Sequence, residues 1–301
     1  LASKVFEKRQ VIHFIVNPIS GKGNNFLDKI FLEESFPKSK YEFFIKITSS
    51  PGHAAKFALV AITEGADIIV ACGGDGTINE IASCLIGRDI PLGIIPLGSG
   101  NGLASNLQIP HQLNKALNVL IQGKVRSIDV GMVNSKYFFS NMGIGFDAAV
   151  IAHFSQLKQR QLKGYIKALL KTMRTYSSTG KVKIINNGKE SYADPFLLFV
   201  SNSNRMGYGF TLTPKANISD GLLDMVLVKK MSKLKLLLFG LLVTIKRTNV
   251  LKEVNFQLID KIVIHGNGNL FQYQIDGELI PYKENKLYIS LCEKKLKVLV
   301  P

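Results

Sequence analysis

The 301-residue sequence predicts an α/β domain built on a parallel sheet, followed by an antiparallel β-sandwich domain. Three observations predict it. Short apolar runs alternate with helix-compatible stretches up to about residue 130. Glycine-rich turns recur at the ends of those runs. Beyond Asp129 the runs follow one another more directly, some separated by turns such as Asn186-Asn187-Gly188 and Gly266-Asn267-Gly268.

Taken in order, residues 11–16 form an apolar run closed by Asn17-Pro18, which is strand and then loop. Residues 24–36 can be helical, 41–48 alternate like a strand, and 51–64 are Ala-rich and helical. Residues 67–72 form another apolar strand, followed by glycines and a helical stretch at 78–86. A strand at 90–96 leads into a second Gly-rich turn and a helix near Leu103. In the second half, strands are expected at 137–140, 182–185, 196–200, 223–228, 261–265, 271–275 and 286–291. Two helical insertions interrupt them. In residues 162–176, Leu162, Tyr165, Ile166, Leu169, Leu170, Met173 and Tyr176 follow helical spacing, while Lys163, Lys167, Lys171 and Arg174 share another face. Residues 234–245 are apolar all round with lysines at both ends. Each apolar face either packs on the β domain or docks on a membrane interface. The expected division is 1–130 and 131–291, with residues 292–301 as candidates for a return to the first domain.

Hydrophobic residues make up 46% and charged residues 20%, which suits a globular chain with a substantial core. Cys72, Cys84 and Cys292 are too few and scattered for a disulfide framework or zinc site, and fit a reducing compartment. Residues 1–10 contain no apolar core of a signal peptide, and the apolar stretch 234–245 is about half the length a bilayer requires. A cytoplasmic protein, peripheral on the inner face of the membrane, is therefore expected. The formal net charge is +16, and its distribution is uneven. Residues 148–189 hold nine Lys/Arg and no acid, and residues 225–252 hold seven and no acid. These are either two solvated helix faces or the contact surface for an anionic partner, lipid or nucleic acid.

The strongest chemical signal is Gly73-Gly74-Asp75-Gly76-Thr77, directly after a strand and directly before a helix. Glycines there let backbone N–H groups approach a phosphate, and the helix N-terminus favours its charge. An acid in such a loop repels a bare anion. Asp75 makes sense where Mg²⁺ lies between the two, or where it orients a reacting hydroxyl; the plainer alternative is a helix cap. Gly98-Ser99-Gly100-Asn101-Gly102 and the segment 17–23 follow strands in the same way, and three such loops at the carboxyl edge of a parallel sheet describe a nucleotide site. Neither a P-loop nor a dinucleotide fingerprint is present.

Eight motifs in order resemble the diacylglycerol kinase catalytic family of bacterial lipid kinases, whose fold extends to sphingosine and ceramide kinases. They are Asn17-Pro18-x-Ser20-Gly21; Thr48 with Gly52 and Ala54; Gly74-Asp75-Gly76-Thr77-Ile78-Asn79-Glu80; Pro96-Leu97-Gly98-Ser99-Gly100-Asn101; Asp129-Val130-Gly131; Asn141 with Gly145-Phe146-Asp147; Asp220-Gly221-Leu222-Leu223-Asp224; and Ile275-Asp276-Gly277-Glu278. The resemblance implies a first domain that binds ATP and a second that takes the lipid substrate. It implies ATP contacts at Asn17, Pro18, Ile19, Ser20, Gly21, Thr48, Gly74, Asp75, Gly76, Thr77, Ile78, Asn79, Glu80 and Ser99. It implies a structural Mg²⁺ held by the Asp220 carboxylate and the carbonyls of Asn217 and Leu222. It also places the proton acceptor in the Asp276-Gly277-Glu278 turn, with Glu278 the usual assignment and Asp276 beside it; read without the family, that turn is an ordinary hairpin. Asp75 completes the candidate catalytic set.

Three positions depart from the family: Gly102 stands where an Asp is frequent, Ser99 where Thr is commoner, and His53 where Asp is frequent. They leave the reaction class intact and leave open which lipid is the acceptor, diacylglycerol or a sphingoid base. His13 reads as core or edge, His111, His153 and His265 lack partners at metal spacing, and Cys72 and Cys84 read as buried hydrophobes. A soluble-substrate kinase of NAD-kinase type shares a Gly-Gly-Asp-Gly turn, but the Gly-Ser-Gly-Asn turn and the Asp220 region speak against it. A non-enzymatic nucleotide- or nucleic-acid-binding protein would leave Asp276 and Glu278 unexplained, and no nucleic-acid partner is expected.

Overall fold

The computed structural model describes residues 8–21, 27, 29–157, 162–176, 178–206, 210–266, 268, 270–281 and 283–301. The expected helix over 24–36 and the turns at 17–23 and 266–268 therefore lie partly outside the described residues. The chain divides into two compact units, one of residues 1–98, 107–127 and 296–301, the other of 99–106 and 128–295.

In the first unit, strands β1 (Gln10–Val16), β2 (Tyr41–Ile47), β3 (Ile68–Gly73), β4 (Leu92–Pro96) and β5 (Lys124–Ile128) join the C-terminal β18 (Leu296–Val300). They form a six-stranded sheet in the order β2-β1-β3-β4-β18-β5, with β1 parallel to β2 and β3, and β4 parallel to β3 and β18. Every residue of β3 and β4 is buried, as expected of parallel strands covered on both faces. The cover comes from α1 (Lys29–Ser35), α2 (His53–Thr63), α3 (Asp75–Leu85) and α5 (Leu113–Gln122); a short α4 (Gly102–Asn106) groups with the second unit. The edge strand β2 is only half covered, and Phe44 on it stacks on the buried His13 ring at 4.8 Å. Burial pushes the His13 imidazole below its ordinary pKa, with the Lys46 charge adding to the shift and Glu64 opposing it.

The sheet order matters for function. From β1 the chain moves first to one side, to β2, and then to the other, to β3. The chain therefore reverses its direction across the sheet between β1 and β3, and the carboxyl ends of these two strands mark the topological switch point where open α/β sheets bind ligands.

The second unit carries β6 (Gly131–Val133), β7 (Lys136–Phe138), β8 (Asn141–Gly145), α6 (Phe146–Ser155), α7 (Leu162–Thr175), β9 (Val182–Asn186), β10 (Lys189–Ala193), β11 (Pro195–Ser201), β12 (Leu223–Lys229), α8 (Lys233–Thr244), β13 (Val254–Ile259), β14 (Lys261–His265), β15 (Tyr273–Ile275), β16 (Glu278–Leu279) and β17 (Lys286–Leu291). Two six-stranded sheets result, ordered β10-β9-β14-β17-β6-β7 and β13-β12-β11-β8-β15-β16, all of whose resolved pairings are antiparallel. Phe138, Ile144, Leu198, Val200, Ile264, Tyr273 and Leu287 belong to the core shared by the two sheets. On the far face of the second sheet, Phe196, Phe199, Val226 and Val228 pack with Phe239 and Leu236 of α8 and with Phe146 and Tyr176. That double coverage explains why all seven residues of β11 are buried.

The first helical insertion differs from expectation in how it is held, whereas α8 packs on its sheet, one of the two expected outcomes. On α7 the buried residues are Gly164, Ala168 and Thr172, one turn apart, rather than the large apolar residues. Small side chains let α7 approach α6 closely, where Thr172 Oγ1 meets His153 Nδ1 at 2.8 Å and Tyr165 packs edge-on against Phe154. Leu162, Ile166 and Leu170 remain exposed.

Candidate active site

The loop after β1 begins with Asn17, whose Oδ1 accepts the N–H of Ile19 at 3.2 Å in an Asx turn. Its Nδ2 donates to Thr77 Oγ1 at 3.1 Å, tying this loop to the first turn of α3. The N–H groups of Leu97 and Gly98 donate to the Gly73 carbonyl at 2.9 and 3.2 Å, so the loop after β4 joins the same cluster. Two glycines are sterically required. A Cβ on Gly73 would lie 2.6 Å from Thr77 Cβ, and one on Gly21 would lie 2.2 Å from the Leu97 carbonyl oxygen, at a φ of +64°. Three backbone-rich loops thus converge beside the β1/β3 switch point. Thr48, following β2, is buried there, with its N–H donating to the Val16 carbonyl at 2.8 Å.

Helix α3 starts at Asp75 itself, so the acid sits in the first turn where the helix N-terminus is positive. Gly74 precedes it in extended backbone. Ile78 is buried in the core and offers the loop only its backbone. Glu80, for which the resemblance implies a nucleotide contact, serves in this structure as a helix cap. Its carboxylate accepts the N–H groups of Gly52 at 2.9 Å, Ala54 at 3.1 Å and Ala55 at 3.3 Å, capping α2, whose own N-cap residue Gly52 has no side chain. Glu80→Ala leaves three amides without that acceptor and is expected to cost about 1–2 kcal/mol. Thermal denaturation with ATP kinetics checks this: a lower Tm with a nearly unchanged KM for ATP marks a cap, and the reverse marks a nucleotide contact. His53, at the start of the same helix, meets Ser49 Oγ at 3.1 Å.

In the second unit, Asp276 and Gly277 have φ of +47° and +83° and join β15 to β16 as a two-residue hairpin with Ile275 paired to Glu278. Positive φ at both positions is the type I′ geometry for which Asp-Gly is favoured. The Asp276 carboxylate accepts three backbone N–H groups, from Phe139 at 3.0 Å, Ser140 at 2.8 Å and Asn141 at 3.0 Å. An acceptor so occupied fixes the turn, and Glu278, two residues beyond Asp276, is exposed. Sequence reasoning gave no role to Gln274, which completes the support. Its Oε1 accepts the Gly277 N–H at 2.8 Å, and its Nε2 donates to Asn141 Oδ1 at 2.9 Å and Asp147 Oδ2 at 2.7 Å. Burial pushes the Asp147 carboxyl up to about 6, against the lowering effect of the Gln274 hydrogen bond. The strand-like run 271–275 carries two glutamines, Gln272 and Gln274, and nothing in its pattern marks Gln274 over its neighbour.

The turn over 217–222 is anchored by buried Asp129, whose Oδ2 accepts the Gly221 N–H at 2.7 Å and whose N–H donates to the Ile218 carbonyl at 2.8 Å. Lys295 Nζ lies 2.8 Å from Asp129 Oδ1. Asp220 is exposed, and its Oδ1 accepts the Leu222 N–H at 3.1 Å. Half-buried Asp224 has its carboxyl pushed up to about 6, by burial first and the Asp220 charge second. Ser99 and Asn101 group with this unit, Asn101 at a φ of +51°. Among the described residues, no group of three or more His, Cys, Asp or Glu is arranged to hold a metal.

Three glycine-bearing loops gathered on a parallel sheet, carried in one chain with an antiparallel sandwich, are the architecture of an ATP-dependent phosphotransferase of the kinase class. The chain belongs to the diacylglycerol kinase catalytic family of lipid kinases: residues 11–133 match the diacylglycerol kinase catalytic domain and residues 140–299 the YegS C-terminal NAD kinase beta sandwich-like domain. It is 30% identical over 263 residues to the "Probable lipid kinase YegS-like" of Enterobacter sp. (strain 638), covering 85% of this chain and 86% of that one. It is 32% identical over 221 residues to the "Diacylglycerol kinase" of Bacillus subtilis (strain 168), covering 72% and 74%. A crystal structure of a diacylglycerol kinase from Bacillus anthracis str. Sterne superposes with a TM-score of 0.77 at 24% identity, over 98% of both chains, and establishes the shared fold. The fold likeness extends to an NAD kinase from Archaeoglobus fulgidus, with a TM-score of 0.51 at 12% identity over 96% of this chain and 93% of that one.

Proposed function

We propose that the chain transfers the γ-phosphate of ATP to the hydroxyl of a membrane lipid of the diacylglycerol type. The observation that carries this reading is the convergence of the loops after β1, β3 and β4 at the β1/β3 switch point, tied by Asn17 to Thr77 and by Gly73 to Leu97. The lipid acceptor is supported by what the Enterobacter and Bacillus subtilis relatives are called.

In this reading residues 1–130 form the ATP-binding part, completed by 292–301, and residues 131–291 take the lipid. The N–H groups of residues 74–77, aided by the α3 dipole, hold the phosphates, with Asn17, Ser20, Gly21 and Thr48 of the same unit as further contacts and Ser99 a contact implied by the family resemblance. Asp75 orients the reacting groups. Glu278 takes the proton from the attacking hydroxyl at its carboxylate, and Asp276 with Gln274 keeps that carboxylate in place. Such chemistry depends on positioning and charge neutralisation more than on covalent catalysis.

The turn over 217–222 suits Mg²⁺. Asp220 is exposed and its Oδ1 accepts the Leu222 N–H, so one carboxylate stands among backbone carbonyls, the all-oxygen donor chemistry a hard cation takes. Asp220 with the carbonyls of Asn217 and Leu222 would hold it, and it would supply local charge neutralisation. Membrane association at the inner face of a cytoplasmic membrane follows from a lipid acceptor and two acid-free basic segments. Among the described residues, no helix is long and apolar enough to cross a membrane.

The deciding experiment offers the purified protein labelled ATP with dioctanoylglycerol, sphingosine or NAD. Phosphatidic acid formation at least about tenfold above the other products is expected. Label in NAD with none in either lipid would overturn the reading.

A further inference from the structure

Helix α8 shows an unusual division of its residues. Phe239 and Leu242 are buried, and Leu236 and Val243 pack on the same apolar cluster, so the helix is firmly seated on the outer face of its sheet. Ser232 caps it, with Oγ accepting the Lys235 N–H at 3.4 Å, and Lys235 pairs with Glu253. The opposite side holds Leu234 at 78% exposure, Leu237 at 61%, Leu238 at 45%, Leu241 at 60% and Ile245 at 55%. At about 100° per residue these five fall within an arc of roughly 100°. One continuous aliphatic stripe thus runs the length of a helix that needs none of it for packing.

The surroundings select its occupant. Lys229, Lys230, Lys233, Lys246, Arg247 and Lys252 are all exposed on α8 or in the segments that enter and leave it, and residues 225–252 contain no acid. A second copy of this chain seated on the stripe would bring two such cationic rims together and be repelled. A nucleic acid would match the charge and leave the aliphatic surface in water. An anionic bilayer matches both parts, with acyl chains for the stripe and lipid phosphates for the rim. The other acid-free segment supplies α7, which packs on α6, itself set against the same sheet. Exposed Leu162, Ile166 and Leu170 stand there beside Lys163, Lys167, Lys171 and Arg174.

We propose that α8 is the segment by which this protein enters an anionic lipid surface, Leu234, Leu237, Leu238, Leu241 and Ile245 inserting while the basic rim pairs with lipid phosphate. This rests on the lipid-acceptor reading and names how that lipid is reached. Binding then has two separable parts. The basic rim is weakened by salt, whereas the stripe is not.

The chain contains no Trp, so Leu241→Trp gives a single reporter at a site that is solvent-exposed in the free protein. With phosphatidylglycerol vesicles its emission is expected to shift to the blue and to be quenched by brominated acyl chains. A Leu237→Ser/Leu241→Ser variant should sediment with those vesicles at least about tenfold more weakly at low and high salt alike, because apolar burial is lost. Its activity on dispersed dioctanoylglycerol should match wild type. Unshifted Trp emission in a vesicle-bound protein would overturn the proposal, as would unchanged sedimentation of the double variant. So would a wild-type dimer on size exclusion that the double variant converts to monomer. Failure of wild type to phosphorylate dioctanoylglycerol would instead sink the acceptor reading, leaving the vesicle measurements to judge α8.

Discussion

Glu278→Gln is expected to lower turnover about 10²–10⁴-fold, the range for loss of a general base, with little change in stability or in KM for ATP. Glutamine keeps the size of the side chain and can still accept a hydrogen bond, but it cannot carry away a proton. The residue is exposed at the start of a two-residue strand, so the exchange disturbs no packing. Asp276→Asn serves as the control. Its carboxylate accepts three backbone N–H groups, and an amide offers one oxygen where two are in use. That variant should lose about 1–3 kcal/mol of stability and lower activity through misplacement of the turn. Steady-state kinetics on dispersed dioctanoylglycerol, with thermal denaturation of both variants, separate the two effects. A Glu278→Gln enzyme at wild-type kcat would remove Glu278 as proton acceptor.

The α/β frame of the first unit was legible because its signals are local. Apolar runs become β1, β3 and β4, and the glycines after them stand where a Cβ would collide with Thr77 or the Leu97 carbonyl. Elements without contrast were missed. Helix α6 is apolar on most sides because both the sheet and α7 cover it, so no 3.6-residue period stands out. Strand β18 is short, carries Lys297 in its middle and becomes a sheet member only by pairing with β4, about 200 residues earlier in the chain, so the expected return of the C-terminal residues came without a strand assigned to it. On α7 the large apolar residues have helical spacing, yet the packed face is Gly164, Ala168 and Thr172, since close approach of two helices selects small side chains. Pattern strength found the helix and misread its contact surface.

Long-range polar contacts were equally hidden. Glu80 caps a helix that begins 27 residues earlier, and Gln274 reaches Asp147 across 127 residues. No spacing rule joins such positions. The Asp276-Gly277 turn, by contrast, was visible as a turn, because two residues of positive φ are needed between paired strands and Asp-Gly supplies them. What the sequence could not show is that the Asp276 carboxylate is occupied by backbone donors.

Asp75→Ala is expected to lower turnover about 10²–10³-fold, the range for loss of one preorganised electrostatic contact, with the fold retained. Asp75 is half-buried and is the first residue of α3. Its loss there forgoes a favourable dipole contact of about 0.3–1 kcal/mol, which alanine's higher helix propensity partly offsets. Stability is therefore a poor reason for an acid at this position. The same turn exposes amides suited to phosphate, and a carboxylate among them opposes a bare anion. It becomes favourable when a cation shares the site or when the acceptor hydroxyl donates to it. Asp75→Asn distinguishes these. An amide keeps the hydrogen-bond shape and loses the charge, so equal damage from Asn and Ala marks an electrostatic role with the cation. Partial activity in Asn alone marks orientation of the hydroxyl. Initial rates at varied Mg²⁺ read the difference, because in the electrostatic case more Mg²⁺ is needed for half-maximal rate in both variants. Wild-type rates in both would remove Asp75, and with it the loop after β3, from the nucleotide site.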